Sequence, residues 1–291
     1  MVEKVNSGTK KERVRKPDWL KVRLTGASDY SALKNMLKPG NLHTICESGN
    51  CPNMGECWKS GTATFMILGD ICTRSCRFCA VKTGKPLSPD PEEPMAVAQS
   101  VKNLNLRHCV LTSVDRDDLE DGGADIWVQT IRAVRELNPG ITIETLIPDF
   151  NLNKESLNKI IKVKPDIVSH NLETVSRLTK LVRIRAQYNG SLEVISYLKK
   201  NGMTTKSGIM TGLGETDEEI TETMKDLVKA GCDIFTIGQY LQPSFRHLPV
   251  ERYVDPIQFE MYKKTGLELG FKTVESGPLV RSSYHAEKHL F

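Results

Sequence analysis

Cys72-Thr73-Arg74-Ser75-Cys76-Arg77-Phe78-Cys79 sets three thiols in C-x3-C-x2-C spacing. Three thiolates are one short of the set that closes a tetrahedral zinc or fully ligates a four-iron cluster. Placed on three irons of such a cluster, they leave the fourth iron open to a substrate, which is a catalytic arrangement rather than a structural one. A zinc knuckle completed by a remote fourth ligand is the competing reading.

A second set, Cys46, Cys51 and Cys57, has C-x4-C-x5-C spacing in a stretch broken by Gly49, Pro52 and Gly55. It too offers only three thiolates, so a second cluster needs one more ligand from elsewhere in the chain or from outside it. Six of the eight cysteines crowd between Cys46 and Cys79. No charged-then-apolar export signal opens the chain, so the crowding reads as metal ligation in a reducing cytoplasm. Cys109 and Cys232 stand apart in or beside apolar runs and read as buried, inert thiols.

The elements that must position these groups follow from the rest of the 291 residues, of which 39% are hydrophobic and 26% charged, as in an ordinary globular protein. A net charge of +4 is too mild to imply nucleic acid, and no apolar run approaches the ~20 residues of a membrane span. Residues 1–18 form a basic arm (Lys4, Lys10, Lys11, Arg13, Arg15, Lys16) expected to order only when held. Tyr30 to Leu37 suits a short helix. From Thr62 onward compact apolar runs alternate with amphipathic stripes. Strands are expected at Thr64–Leu68, Cys109–Ser113, Ile141–Leu146, Ile167–His170, Lys206–Met210 and Ile234–Gly238. Helices are marked by Pro94, by the stripe Trp127–Ile131–Val134, by Asn153 as a cap, by Leu192–Ile195–Leu198, and by Thr216 with Glu219 as a capping box. A last helix follows Asp255-Pro256. Six βα units predict an α/β fold, a partial (β/α)6 TIM-type barrel over 62–240, with an N-terminal cluster-binding extension (1–61) and a C-terminal extension (241–291). In such a barrel the reactive groups gather at the carboxyl ends of the strands, and Cys72 follows the first strand directly.

The cysteine run, with aromatic Phe78 before its last member, resembles the signature of the radical S-adenosylmethionine (radical SAM) enzymes. The resemblance implies an open iron that chelates the amino and carboxylate groups of SAM, one-electron cleavage of the sulfonium, and a 5′-deoxyadenosyl radical that abstracts hydrogen. Several strand-end segments suit a SAM site. Gly122 and Gly123 after Asp121 permit close backbone approach, or simply turn the chain into the next helix. Asn171 and Glu173 suit ribose hydroxyls. Arg183 or Arg185 suits a carboxylate, unless either is a surface arginine. Gly208 to Glu215 resembles the radical SAM G-x-I-x-G-x-x-E pattern with Met210 in place of isoleucine, so Gly212 and Glu215 join the candidates.

Both cysteine sets together with Arg281-Ser282-Ser283-Tyr284 resemble the lipoyl synthase family over nearly the whole chain. Ser113-Val114-Asp115-Arg116-Asp117-Asp118-Leu119 and Gln239-Tyr240-Leu241-Gln242-Pro243-Ser244 fit it too. The resemblance implies that Ser283 is the fourth ligand of the auxiliary cluster, an oxygen harder than thiolate and so suited to a cluster meant to be dismantled. A bare R-S-S-Y is otherwise a turn with hydroxyls bonded to backbone. It further implies two 4Fe-4S clusters, SAM as co-substrate, and sulfur insertion at C6 and C8 of an octanoyl group on a lipoyl carrier domain (glycine cleavage H protein or 2-oxoacid dehydrogenase E2 type). A flavodoxin or ferredoxin reductant and an iron–sulfur carrier for cluster rebuilding are the other expected partners. The rival readings are another radical SAM sulfurtransferase and, from a different class, an iron–sulfur electron carrier, for which six βα units would be superfluous.

Overall fold

The computed structural model of the chain describes residues 15–20, 43–44, 51 and 53–289. Cys46, the Tyr30–Leu37 segment and the basic arm from Lys4 to Arg13 lie outside the described residues. The elements are β1 (His43–Thr44), α1 (Met54–Lys59), β2 (Thr62–Ile67), β3 (Ile71–Cys72), β4 (Lys82–Thr83), α2 (Glu93–Asn103), β5 (His108–Ser113) and α3 (Ala124–Leu137). There follow β6 (Thr142–Leu146), α4 (Lys154–Val163), β7 (Ile167–Ser169), α5 (Thr179–Val182), α6 (Tyr188–Lys200), β8 (Thr205–Thr211), α7 (Asp217–Ala230), β9 (Ile234–Gln239), α8 (Pro256–Leu269) and β10 (Thr273–Gly277).

Local chemistry sets the helix limits. Asn153 accepts from the backbone N–H groups of Glu155 and Ser156 at the start of α4, and Thr216 with Glu219 forms the reciprocal box that opens α7. Asp255 caps α8, and Pro256 supplies the fixed φ of a first helical turn. The stripes pack outward from the sheet. Trp127, Ile131 and Val134 join Phe65, Leu111 and Ile143 in one core, while Ile220, Met224 and Leu227 join Phe235, Ile237 and Phe259 in a second.

The eight-stranded sheet runs β1-β2-β5-β6-β7-β8-β9-β10, with β1 antiparallel to β2 and the other seven strands parallel. All six expected strands are present. The seventh, β10, pairs with β9 from Thr273↔Ile234 to Gly277↔Gly238. The sheet therefore runs past residue 240, where the sequence pattern placed the end of the barrel. Thr273–Gly277 was hidden because only Val274 among its five residues is apolar and buried. The strand order does not return from β10 to β2, so among the described residues the barrel wall is open there.

The segment after β10 fills that opening. The Asn53 side-chain amide donates to the Leu279 carbonyl at 2.6 Å, and the Thr62 hydroxyl donates to Glu287 at 3.0 Å. Gly238 lets this segment lie flat on β9, because any Cβ there would collide with the Val280 carbonyl. No helix among the described residues is long and apolar enough to cross a membrane.

Candidate active site

A cavity of about 530 Å³ opens at the carboxyl ends of the strands, within the range of small-molecule sites. Cys72, Cys76 and Cys79 line it together with Phe78, Asn171, Glu173, Arg183, Cys51 and Ser283. A second, far smaller cavity is lined by Cys51, Cys57, Arg281, Ser283 and Tyr284. Cys51, Arg281 and Ser283 thus stand between the two.

The loop carrying the first three thiols is stitched to its surroundings by backbone. Thr73 donates from its amide and its hydroxyl to the Asp115 carbonyl at 3.0 and 2.9 Å. The Arg77 amide donates to Val182 at the end of α5 at 2.9 Å, and the Arg77 carbonyl accepts from Leu248. The Cys72 sulfur accepts the amides of Arg74 and Asp115 at 3.4 and 3.3 Å.

At the centre of this frame Arg74, almost wholly buried, donates to Asp117 and Asp149 at 2.7 Å and pairs with Asp115 at 3.3 Å. One guanidinium therefore joins the cysteine loop to the segments after β5 and β6. Burial alone would lift the Asp149 carboxyl, but the Arg74 hydrogen bond and charge pull it down to about 2. Asp115 goes the other way: burial, with Asp149 and Asp117 close by, lifts it to about 6 despite Arg74. Sequence reasoning noted the Ser113–Leu119 run only as a family likeness and missed Arg74 and Asp149. The signal was present, since Asp149 follows a parallel strand and Arg74 lies inside the cysteine motif.

Burial raises the thiols. Cys76 is pushed up to about 12 by desolvation and then by the Asp115 and Cys79 charges, and Cys79 to about 11. Such thiols lose their protons only when a metal replaces them, so loading is coupled to proton release. Among the described residues no three His, Cys, Asp or Glu side chains converge on one metal-ion position. Three soft thiols set around a cavity fit a polynuclear cluster, whose irons lie apart from one another.

The polar wall fits a ligand as well. The Ser113 hydroxyl and the Asn171 side-chain oxygen are buried without a hydrogen-bond partner among the described residues, and both residues line the cavity. Glu173 sits at φ 66, held there by an isolated bridge in which its amide donates to Gly208 and its carbonyl accepts from Met210, both at 2.9 Å. A left-handed glutamate at a cavity wall is the kind of strain that functional sites retain. Arg183 donates to the Leu172 carbonyl and to the Ser191 hydroxyl, which also contacts His170. The positive charge of Arg183 acts against the upward shifts of Cys76 and Glu173.

Six of the expected residues, Gly122, Gly123, Arg185, Gly212, Glu215 and Cys57, do not line the cavity. Gly122 and Gly123 turn the chain into α3: Gly123 has φ 87, and Asp121 accepts the amides of Gly123 and Asp125. Glu215 spends both carboxylate oxygens on the amides of Gly212 and Leu213, at 2.7 and 2.9 Å, so it shapes its own loop. From that motif it is Ile209 and Met210 that reach the cavity. Arg185 is largely exposed and pairs with Asp117 at 3.4 Å. Cys57 faces the smaller cavity, and Cys46 lies outside the described residues. Cys109 and Cys232 are buried thiols, as expected, with Cys232 raised to about 12 by desolvation.

Comparison with known proteins gives concordant likenesses. The radical SAM superfamily profile matches residues 66–227, and that of the N-terminal domain of lipoyl synthase matches residues 2–51. The lipoyl synthase of Christiangramia forsetii is 58% identical over 283 residues, 97% of each chain. The mitochondrial lipoyl synthase of Nematostella vectensis is 59% identical over 276 residues, 94% of this chain and 95% of that one. Among solved structures, Streptococcus suis SuiB bound to S-adenosylmethionine aligns with TM-score 0.58 at 13% identity, over 77% of this chain and 53% of that one. Methylornithine synthase aligns at 0.53 and 15% identity, over 84% of this chain and 77% of that one. At these identities the two structures speak for the fold alone.

Proposed function

The chain belongs to the lipoyl synthase family of radical SAM enzymes, and from that premise we propose how its residues divide the work. The reaction inserts two sulfur atoms, at C6 and C8 of an octanoyl group on a lysine of a lipoyl carrier domain, with SAM as co-substrate and two 4Fe-4S clusters as cofactors. The observation that carries the assignment is that thiols of both sets reach one cavity: Cys72, Cys76 and Cys79, and Cys51 beside Ser283.

Cys72, Cys76 and Cys79 hold the first cluster; Cys46, Cys51, Cys57 and Ser283 hold the auxiliary one. When bound, the first supplies the electron that cleaves SAM and the second supplies the sulfur. Ser113, Asn171 and Glu173 take the polar groups of SAM, which gives the two orphaned oxygens the partners they lack. Arg183, held by Leu172 and Ser191, offers positive charge beside Cys76 and Glu173. Met66, Leu146, Ile209 and Leu241 give the cavity the apolar lining that an octanoyl chain needs, at about 0.8 kcal/mol per methylene buried. The same lining excludes water from the radical's path. Arg74 with its three aspartates holds the first thiol loop in register with the strand ends.

We assign residues 1–61 and 241–291 to supplying the auxiliary ligands and residues 62–240 to SAM cleavage. The carrier is a glycine cleavage H protein or a 2-oxoacid dehydrogenase E2 domain, the reductant a flavodoxin or ferredoxin, and an iron–sulfur carrier rebuilds the spent cluster. The mild positive charge favours acidic partners. Cys51, Cys72, Cys76, Cys79, Cys109 and Cys232 are free thiols, which suits a reducing cytoplasm.

The test is anaerobic incubation of the cluster-loaded chain with SAM, dithionite and an octanoyl-lysine peptide. The reading requires two added sulfurs and about two 5′-deoxyadenosines per product. Deoxyadenosine without sulfur on the peptide would send the search to another substrate.

A further inference from the structure

Inside the barrel, below the cavity, lies an ion pair that takes no part in the chemistry above. Lys206 of β8 and Glu144 of β6 are both fully buried, and the ammonium donates to the two carboxylate oxygens at 2.8 and 3.0 Å. Ser169 of β7, the strand between them, donates to the same carboxylate at 2.9 Å. An ammonium has three donors, and a buried one left short of an acceptor is costly. The third acceptor comes from the far end of the chain: His289 Nδ1 lies 3.2 Å from the ammonium, and His289 is itself fully buried.

The route from Ser283 to His289 makes that contact consequential. Arg281, Ser282 and Ser283 line the large cavity. His285 then takes a left-handed turn, φ 50 and ψ 32, which carries Ala286 into the interior. Glu287 receives the Thr62 hydroxyl at the first residue of β2. The segment thus descends the open side of the barrel from the carboxyl ends of the strands toward their amino ends, and His289 is its last described residue. Higher in the segment, Asn53 donates to the Leu279 carbonyl at 2.6 Å, while Tyr284 and His285 reach Glu56 only at 3.4 and 3.6 Å, near the surface.

We propose that the Lys206–Glu144 pair is a latch for the C-terminal segment, and that His289, by accepting from Lys206, is a positioning residue that holds Ser283 at the auxiliary site. The latch requires neutral His289 with its proton on Nε2, since Nδ1 accepts; Nε2 faces Glu275 at 3.9 Å. Burial, and then the Lys206 cation, depress this histidine to about 2, so it stays neutral across the working range. The significance for sulfur transfer rests on the reading of Ser283 given above; the latch itself does not.

The test uses the full chain and two substitutions. His289→Leu fills similar space without an acceptor, whereas His289→Asn keeps an acceptor on the atom that replaces Nδ1. Hydrogen–deuterium exchange on the cluster-free protein, read by mass spectrometry, reports the tail directly. His289→Leu is expected to speed exchange in peptides covering 280–289 about tenfold or more, the effect of losing one hydrogen bond to a buried charge. Peptides of α3 and α4 should be unchanged, and His289→Asn should restore most of the protection. Equal tail exchange in the parent and His289→Leu proteins would overturn the latch, as would equal loosening by both substitutions. After cluster loading, His289→Leu should keep SAM cleavage while auxiliary iron and lipoyl product fall, with recovery in His289→Asn. A tail loosened by His289→Leu alongside full product from Ser283→Ala would keep the latch and overturn the ligand role of Ser283.

Discussion

The guanidinium of Arg74 and the carboxylate of Asp149 meet at 2.7 Å across 75 residues of sequence. Arg74 lies between Cys72 and Cys76 and Asp149 follows β6, so this bond fixes the thiol loop against the strand ends. Arg74→Met leaves Asp115, Asp117 and Asp149 without their common cation. Removing one partner of so buried a group costs about 3–5 kcal/mol, and the first site should load poorly. Urea unfolding of the cluster-free chain and iron analysis after loading check this; parent-like values of both would dismiss the tether.

Asp149 also gives the molecule an acid-side signature. Its folded-state value, about 2, lies below that of an unfolded aspartate, so its contribution is present above pH 4 and is lost as pH falls toward 2. The fall from the usual 3.8 to about 2 corresponds to about 2.5 kcal/mol at neutral pH. The stability difference between parent and Asp149→Asn should therefore be near this value at pH 6 and shrink steadily below pH 4. A difference independent of pH would place the effect in packing rather than charge.

Cys76→Ala and Ser283→Ala should separate the two clusters. Cys76→Ala loses SAM cleavage and about half of the roughly eight irons of two four-iron clusters, while its auxiliary cluster still assembles. Ser283→Ala keeps SAM cleavage but does not complete sulfur insertion. Iron and sulfide analysis with deoxyadenosine quantitation reads both; intact cleavage in the first variant or parent-rate product in the second refutes the assigned role.

Gly238→Ala tests whether the C-terminal segment must lie flat on β9. The new methyl meets the Val280 carbonyl, a backbone atom that moves only with its whole segment. Overpacking of this kind costs about 1–3 kcal/mol, and auxiliary iron should fall before SAM cleavage does. Parent-like thermal unfolding and auxiliary loading would show that the segment can shift without loss.

The part of this molecule written locally in the sequence was readable. Strands buried on both faces appear as apolar runs, and Asn153, Thr216 and Asp255 cap helices where their side chains predict. The cysteine spacing pointed to the cavity because a motif that follows a parallel strand must emerge at its carboxyl end. Less legible was whatever depends on partners distant in the chain. Thr273–Gly277 reads as loop until β9 is beside it. Gly212 and Glu215 suggest a ligand until the carboxylate is seen bound to its own loop amides. Arg74, Asp149 and His289 look like ordinary polar residues, and only the packing of distant segments against them turns them into buried contacts.

The central claim is that the cluster on Cys51, Cys57 and Ser283, with Cys46, is the source of the inserted sulfur. Loading the chain with heavy-isotope sulfide and supplying SAM, dithionite and an octanoyl-lysine peptide without other sulfide tests it in one mass spectrum. The account predicts a lipoyl product carrying two heavy sulfurs, in an amount limited by the protein present. Product with light sulfur would contradict it.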